Sequence, residues 1–224
     1  MQPKITLRSV DVPVGKNTIQ GDLRIPQNST AIVVFAHGSG SSRHSPRNKF
    51  VADILNQGGL ATLLVDLLTP SEEAIDMQTA HLRFDIRFLA DRLVGVTDWL
   101  GHNSDTAKLC VGYFGASTGA AAALVAAAKR PDIVRAVVSR GGRPDLAGDW
   151  LRRVRAPTLF IVGGDDWQVI QLNRQAAGML KTDYRIEIIP GAGHLFEEPG
   201  MLEKVARLAY EWFEEHLIRR TKAA

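Results

Sequence analysis

Strand-forming and helix-forming sequence meet at Gly115-Ala-Ser117-Thr-Gly119, and no other stretch restricts the possible folds as much. Lys108 to Phe114 is a short, largely apolar run that reads as a buried strand. Thr118 to Arg130 is rich in alanine, a strong helix former, and is stopped by Pro131. A Gly-x-Ser-x-Gly between the two forces a sharp turn. Gly115 and Gly119 remove the β-carbons that would clash where strand and helix backbones approach, and the Ser117 hydroxyl projects above the sheet edge. With 20 glycines in 224 residues, the five-residue pattern arises by chance in about one such chain in twelve, so the strand before and the helix after carry most of the weight. The plain alternative for Ser117 is a helix cap.

The rest of the chain alternates in the same way. Ile5 to Val14 and Ile19 to Ile25, separated by Pro13-Val-Gly-Lys-Asn, read as an antiparallel pair. Ala31 to Ala36 is instead continuously apolar, as strands are when helices cover both faces of a parallel sheet. Further strands are expected at Ala61 to Asp66, Ile133 to Ser139, Pro157 to Val162 and Tyr184 to Ile189. Helices are expected around Lys49 to Gln57, over Val169 to Leu180, and at the end through Val205, Leu208, Ala209, Trp212 and Leu217. Leu82, Ile86, Leu89, Leu93, Val96 and Leu100 recur every three or four residues, a core-facing helical stripe. Residues 67 to 81 are acidic, contain Pro70 and have no clear period, so they read as an excursion at the sheet's carboxyl edge. Gly141 to Arg155 reads as a loop with one short helix. The expected architecture is α/β: one domain over residues 1–224, a mostly parallel, doubly wound sheet of about eight strands, with reacting groups at its carboxyl edge.

Composition narrows the class further. The chain is 45% hydrophobic and 23% charged, ordinary values for a globular protein, and no apolar run approaches the ~18 residues of a membrane span. A cytoplasmic location without membrane contact is the default expectation. Cys110 is the only cysteine, which excludes an intrachain disulfide and a cysteine-based zinc cluster, and its strand position suits a small core residue. The net charge is +3, but the arginines are scattered with no basic stripe among aromatics, so a nucleic-acid partner is not expected. No metal is expected either.

A serine hydroxyl is a weak nucleophile until an imidazole takes its proton, and the imidazole needs a carboxylate to fix its tautomer and stabilise its cation. His194 lies in Pro190-Gly-Ala-Gly-His-Leu-Phe, directly after the last strand and at the same sheet edge as Ser117. His81, His102 and His216 fall on or beside helices. For the acid, Gly163-Gly-Asp165-Asp166-Trp-Gln-Val offers two candidates after its own strand.

With the elbow at Ser117 and the order Ser, Asp, His, the chain resembles an α/β-hydrolase over essentially its whole length, and is most similar to small, lidless dienelactone-hydrolase-like members. The resemblance selects Asp166, because Gly163, Asp166 and Val169 match the family's Gly-x-x-Asp-x-x-Val loop, leaving Asp165 as a turn or cap residue. It implies an oxyanion hole made of the N–H groups of Thr118 and of Ser39, the latter in His37-Gly-Ser-Gly40 after the third strand. It implies ester or lactone hydrolysis through an acyl-serine, without a cofactor. One position departs: dienelactone hydrolases carry Cys where this chain has Ser117, which argues against dienelactone itself as substrate. Only Gly141 to Ala156 separates two central strands, too short for a cap domain, so a shallow, open site for small acyl groups is expected. Thioesterase or acyltransferase chemistry would use the same residues, and a non-catalytic ligand-binding protein of the same fold is the alternative from another class. The partner expected is a small ester or lactone, and the assembly a monomer or homodimer. Arg43, His44, Arg47, Arg140 and Arg143 follow strands near the same edge. Arg140, which ends a buried strand, is the strongest candidate for binding an anionic substrate group.

Overall fold

A computed structural model describes residues 4–219. Its centre is an eight-stranded sheet: β1 (Ile5–Val14), β2 (Asn17–Pro26), β3 (Ala31–Ala36), β4 (Ala61–Val65), β5 (Cys110–Ala116), β6 (Val134–Arg140), β7 (Thr158–Gly163) and β8 (Tyr184–Ile189), in the spatial order β1-β2-β4-β3-β5-β6-β7-β8. β1 and β2 are antiparallel, as is β2 with β4; every other pairing is parallel. The continuously apolar runs take the central places. β3 is buried at all six positions, with Ile32, Val34 and Ala36 in one core and Ala31, Val33 and Phe35 in the other. Because side chains alternate along a strand, such a run needs cover on both faces.

The helices provide it. α1 (Pro46–Gln57) and α6 (Met201–Phe213) pack on one face, and α3 (Ile86–His102) and α4 (Thr118–Lys129) on the other. α5 (Trp167–Ala177) follows β7. Every residue of α4 from Thr118 to Ala128 is buried, most of them alanines, which lets the helix lie close to the sheet. A 3₁₀ segment, Pro144–Arg153, kinked at Gly148, fills the short connection between β6 and β7, and the described residues include no cap domain. A π-helical turn, Glu214–Arg219, extends α6.

Three sequence expectations need correction. Residues 67–81 hold a helix, α2 (Pro70–Thr79), started by a capping box in which Thr69 and Glu72 satisfy each other's backbone donors. It showed no apolar period because its only buried residue is Asp76; Ile75 and Met77 face outward. The Leu82–Leu100 stripe is not one helix: Leu82–Phe84 is a 3₁₀ turn, and Asp85 caps α3 by accepting from the Phe88 N–H. α1 begins three residues earlier than expected, with Ser45 as cap and Pro46 at the first helical position.

Candidate active site

The turn after β5 carries Ser117 in a conformation rare for any residue with a β-carbon, φ 50° and ψ −122°. Such geometry costs about 1–3 kcal/mol and persists only where neighbours impose it. They do so here: the Ser117 N–H donates to the Arg140 carbonyl at 3.3 Å, and its own carbonyl accepts from the N–H groups of Ala120 (3.1 Å) and Arg143 (3.0 Å). The Ser117 side chain makes no capping hydrogen bond to α4, which removes the helix-cap reading. Gly119 permits the approach behind it, since a β-carbon there would stand 2.3 Å from the Ala36 carbonyl oxygen and 2.4 Å from that of His37.

His194 and Asp166 come from the loops after β8 and β7. His194 Nδ1 lies 2.6 Å from Asp166 Oδ2, with the two side chains 40% and 16% exposed. Asp166 heads α5 yet makes no capping bond, so its carboxylate is directed to the ring. Asp165 is exposed, and its backbone N–H donates to the Ala192 carbonyl at 3.0 Å. The loops touch through Gly163, where a β-carbon would meet the carbonyl oxygens of Ala192 (2.4 Å) and Gly193 (2.5 Å). Glu198 braces the histidine loop by accepting the Gly193 N–H at 3.0 Å. Ser117 and His194 line one open pocket of about 250 Å³ with Ser39, Arg47, Asn48 and Arg140. No hydrogen bond joins the serine hydroxyl to the ring among the described residues, a common state before substrate draws such a pair together.

The expected oxyanion donors sit differently from each other. Thr118 is the first residue of α4, where an N–H has no intrahelical acceptor. The Ser39 N–H donates to Thr118 Oγ1 at 3.0 Å, and the two hydroxyls are 2.9 Å apart. His37, which sequence reasoning treated only as part of the loop, ties this segment to the neighbouring one: its Nδ1 faces the Gly38 carbonyl at 2.9 Å, and its Nε2 accepts the Leu67 N–H at 3.1 Å. Those contacts require the neutral ring. Burial holds its pKa below the ordinary histidine value, against the Gly38 bond and the charges of Asp66 and Glu73, which act upward. A second hollow lies under α2, lined by His37, Asp66, Asp76 and Arg83, but it contains neither Ser117 nor His194.

Of the five cationic candidates, Arg43 is paired with Asp66 and Asp22, Arg143 holds Asp145 through both Nε (2.9 Å) and Nη2 (2.8 Å), and His44 is exposed. Arg47 reaches Glu197 at 2.9 Å. Of the four arginines, Arg140 alone lacks a carboxylate among the described residues; its Nη2 donates to Asn48 Oδ1 at 3.3 Å, and its Nε has no acceptor.

A mostly parallel sheet that presents a serine on the turn after its fifth strand, and a histidine and carboxylate on the loops after its last two, has the α/β-hydrolase fold. More narrowly, the chain belongs to the dienelactone hydrolase family, whose sequence model matches residues 19–217. The crystal structure of a dienelactone hydrolase from Anabaena variabilis ATCC 29413 is 62% identical, with a TM-score of 0.94 over 97% of this chain and 100% of that one. Est1E from Butyrivibrio proteoclasticus shares the fold at 17% identity, with a TM-score of 0.76 over 92% of this chain and 98% of that one. Two Mycobacterium tuberculosis strains have relatives described as putative phosphoribosyl transferases, 57% identical over 215 residues, which are 96% of this chain and 48% of theirs. The chain thus spans about half the length of the curated relatives it matches. Among the described residues no helix is long and apolar enough to cross a membrane.

Proposed function

We propose that this chain is a serine hydrolase that cleaves small carboxylic esters or lactones through an acyl-serine intermediate. The observation that carries the reading is the 2.6 Å contact between His194 Nδ1 and Asp166 Oδ2 on the loops that face the strained Ser117. Family membership supports hydrolase chemistry. With Nδ1–H donated to Asp166, the ring is held in the tautomer whose Nε2 is free to accept a proton. Nε2 takes the Ser117 proton as Oγ attacks the ester carbonyl, Asp166 stabilises the imidazolium, and the same nitrogen returns the proton to the leaving alcohol. Water repeats the cycle on the acyl-serine. The developing oxyanion receives the Thr118 N–H and takes over the Ser39 N–H from Thr118 Oγ1, which keeps the Ser39 hydroxyl as a partner. The transferase name belongs to chains about twice this length, of which this chain matches 48%.

Turnover of p-nitrophenyl acetate by two Asp→Asn variants tests the arrangement. Asp166→Asn should lower kcat by roughly 10³ to 10⁴, the loss that follows when the orienting carboxylate goes. Asp165→Asn should stay within about threefold of wild type, because that side chain does not contact the ring. No hydrolysis by the wild type refutes the function; the reverse ranking refutes the assignment of Asp166.

A further inference from the structure

Burying a charge is costly unless an opposite charge accompanies it, and the other buried or half-buried arginines near this edge obey that rule. Arg92 has Glu72, Arg83 has Asp76, Arg43 has Asp66, and Arg143 has Asp145. Arg140 breaks it. The residue is 6% exposed, its Nε is unpartnered, and its single side-chain acceptor is the neutral Asn48 amide at 3.3 Å. The residue lines the pocket that holds Ser117 and His194, and its carbonyl accepts the Ser117 N–H, so the strand end that carries the cation is fixed relative to the nucleophile.

The surroundings add positive potential. Arg47 lines the same pocket, with a buried, unpartnered Nε, while its Nη1 is engaged at the rim by Glu197. Arg47 and Asn48 lie in the first turn of α1, a twelve-residue helix whose first turn contains no acidic residue. A helix N-terminus attracts an anion; here the Ser45 hydroxyl caps the Asn48 N–H at 3.3 Å, but no carboxylate lies in that first turn.

Building on the serine-hydrolase reading, we propose that Arg140, Arg47, Asn48 and the N-terminus of α1 form a subsite for an oxyanion group, carboxylate or phosphate, carried by the substrate beside the ester that Ser117 attacks. The substrate then supplies the counter-charge that Arg140 lacks. Burial, and secondly the charge of Arg47, push the Arg140 pKa down to about 10, which leaves it protonated at neutral pH. A planar fork on a rigid strand end suits an oxyanion with two acceptor oxygens.

The test compares p-nitrophenyl hemisuccinate with its methyl ester, in which one methyl group removes the distal charge. In the wild type kcat/KM should favour the hemisuccinate roughly 10- to 100-fold, the range expected of a buried charge-assisted contact. Arg140→Gln should bring that ratio to within about threefold of one, and Arg140→Lys, which keeps the charge without the fork, should lie between. Calorimetric titration with succinate and with inorganic phosphate provides arms independent of turnover: at least one should bind the wild type, about tenfold or more weaker in Arg140→Gln, and the tighter of the two identifies the group. If neither ester is hydrolysed, the serine-hydrolase reading fails, and the titrations alone decide the subsite. If Arg140→Gln does not fold, Arg47→Ala should still reduce the hemisuccinate preference or the anion affinity. A wild-type ratio within threefold of one together with no binding of either anion overturns the subsite, as does full preference and affinity in the Arg140 variants.

Discussion

Ser117 is strained so that its hydroxyl stands clear of the helix it precedes, and that strain has a measurable consequence. Its φ of 50° is one that glycine adopts freely. Ser117→Gly should therefore abolish hydrolysis yet raise the unfolding free energy by about 1 kcal/mol, the strain relieved being partly offset by the flexibility glycine adds to the unfolded chain. Urea denaturation of the two proteins reads the difference directly; a loss of stability would mean that the surrounding hydrogen bonds relax the turn. The position of Ser117 was legible because a glycine on either side of a serine, between an apolar run and an alanine run, is a local signal. The engagement of the Ser39 N–H by the Thr118 hydroxyl was not, since it joins residues 79 positions apart. The sequence singled out Arg140 only by its place at the end of a buried strand; that Arg43, Arg47 and Arg143 have acidic partners while Arg140 has none is a matter of tertiary pairing that the sequence does not display.

Among the elements, the apolar strands were legible because β3, β4 and β7, buried at every position, are apolar throughout except for Thr62 and Thr158. α2 was not, because it is held by charge instead of by an apolar stripe: Glu72 reaches Arg92, and Asp76, 1% exposed, receives Arg83 Nε at 2.6 Å and the Leu82 N–H at 2.7 Å. The loops carrying the site are joined in a similar way. His37 links the segment after β3 to the one after β4, accepting the Leu67 N–H with a ring nitrogen that protonation would convert to a donor. A histidine whose folded pKa is lowered contributes stability that is complete above its unfolded value of about 6.5 and is lost as pH falls from there towards the folded value. Melting temperature should accordingly decline more steeply below pH 6.5 in wild type than in His37→Gln, whose side chain does not titrate. Parallel declines in the two proteins would show that the ring is protonated equally well in the folded state.

For the whole molecule, the doubly wound order explains why groups distant in sequence converge. β5, β7 and β8 are parallel, so the turns after them, bearing Ser117, Asp166 and His194, open on one edge. The fold class, the strand count and that edge followed from the alternation of strand and helix patterns. The short Pro144–Arg153 connection leaves no cap over the pocket. The central claim is that this edge activates Ser117 as a nucleophile. Its most direct measurement is reaction with a fluorophosphonate followed by peptide mass spectrometry. The expected result is one adduct per chain, on the peptide containing Ser117, lost in Ser117→Ala and greatly slowed in His194→Ala. Absence of labelling in the intact wild-type protein, or undiminished labelling after Ser117→Ala, would contradict it.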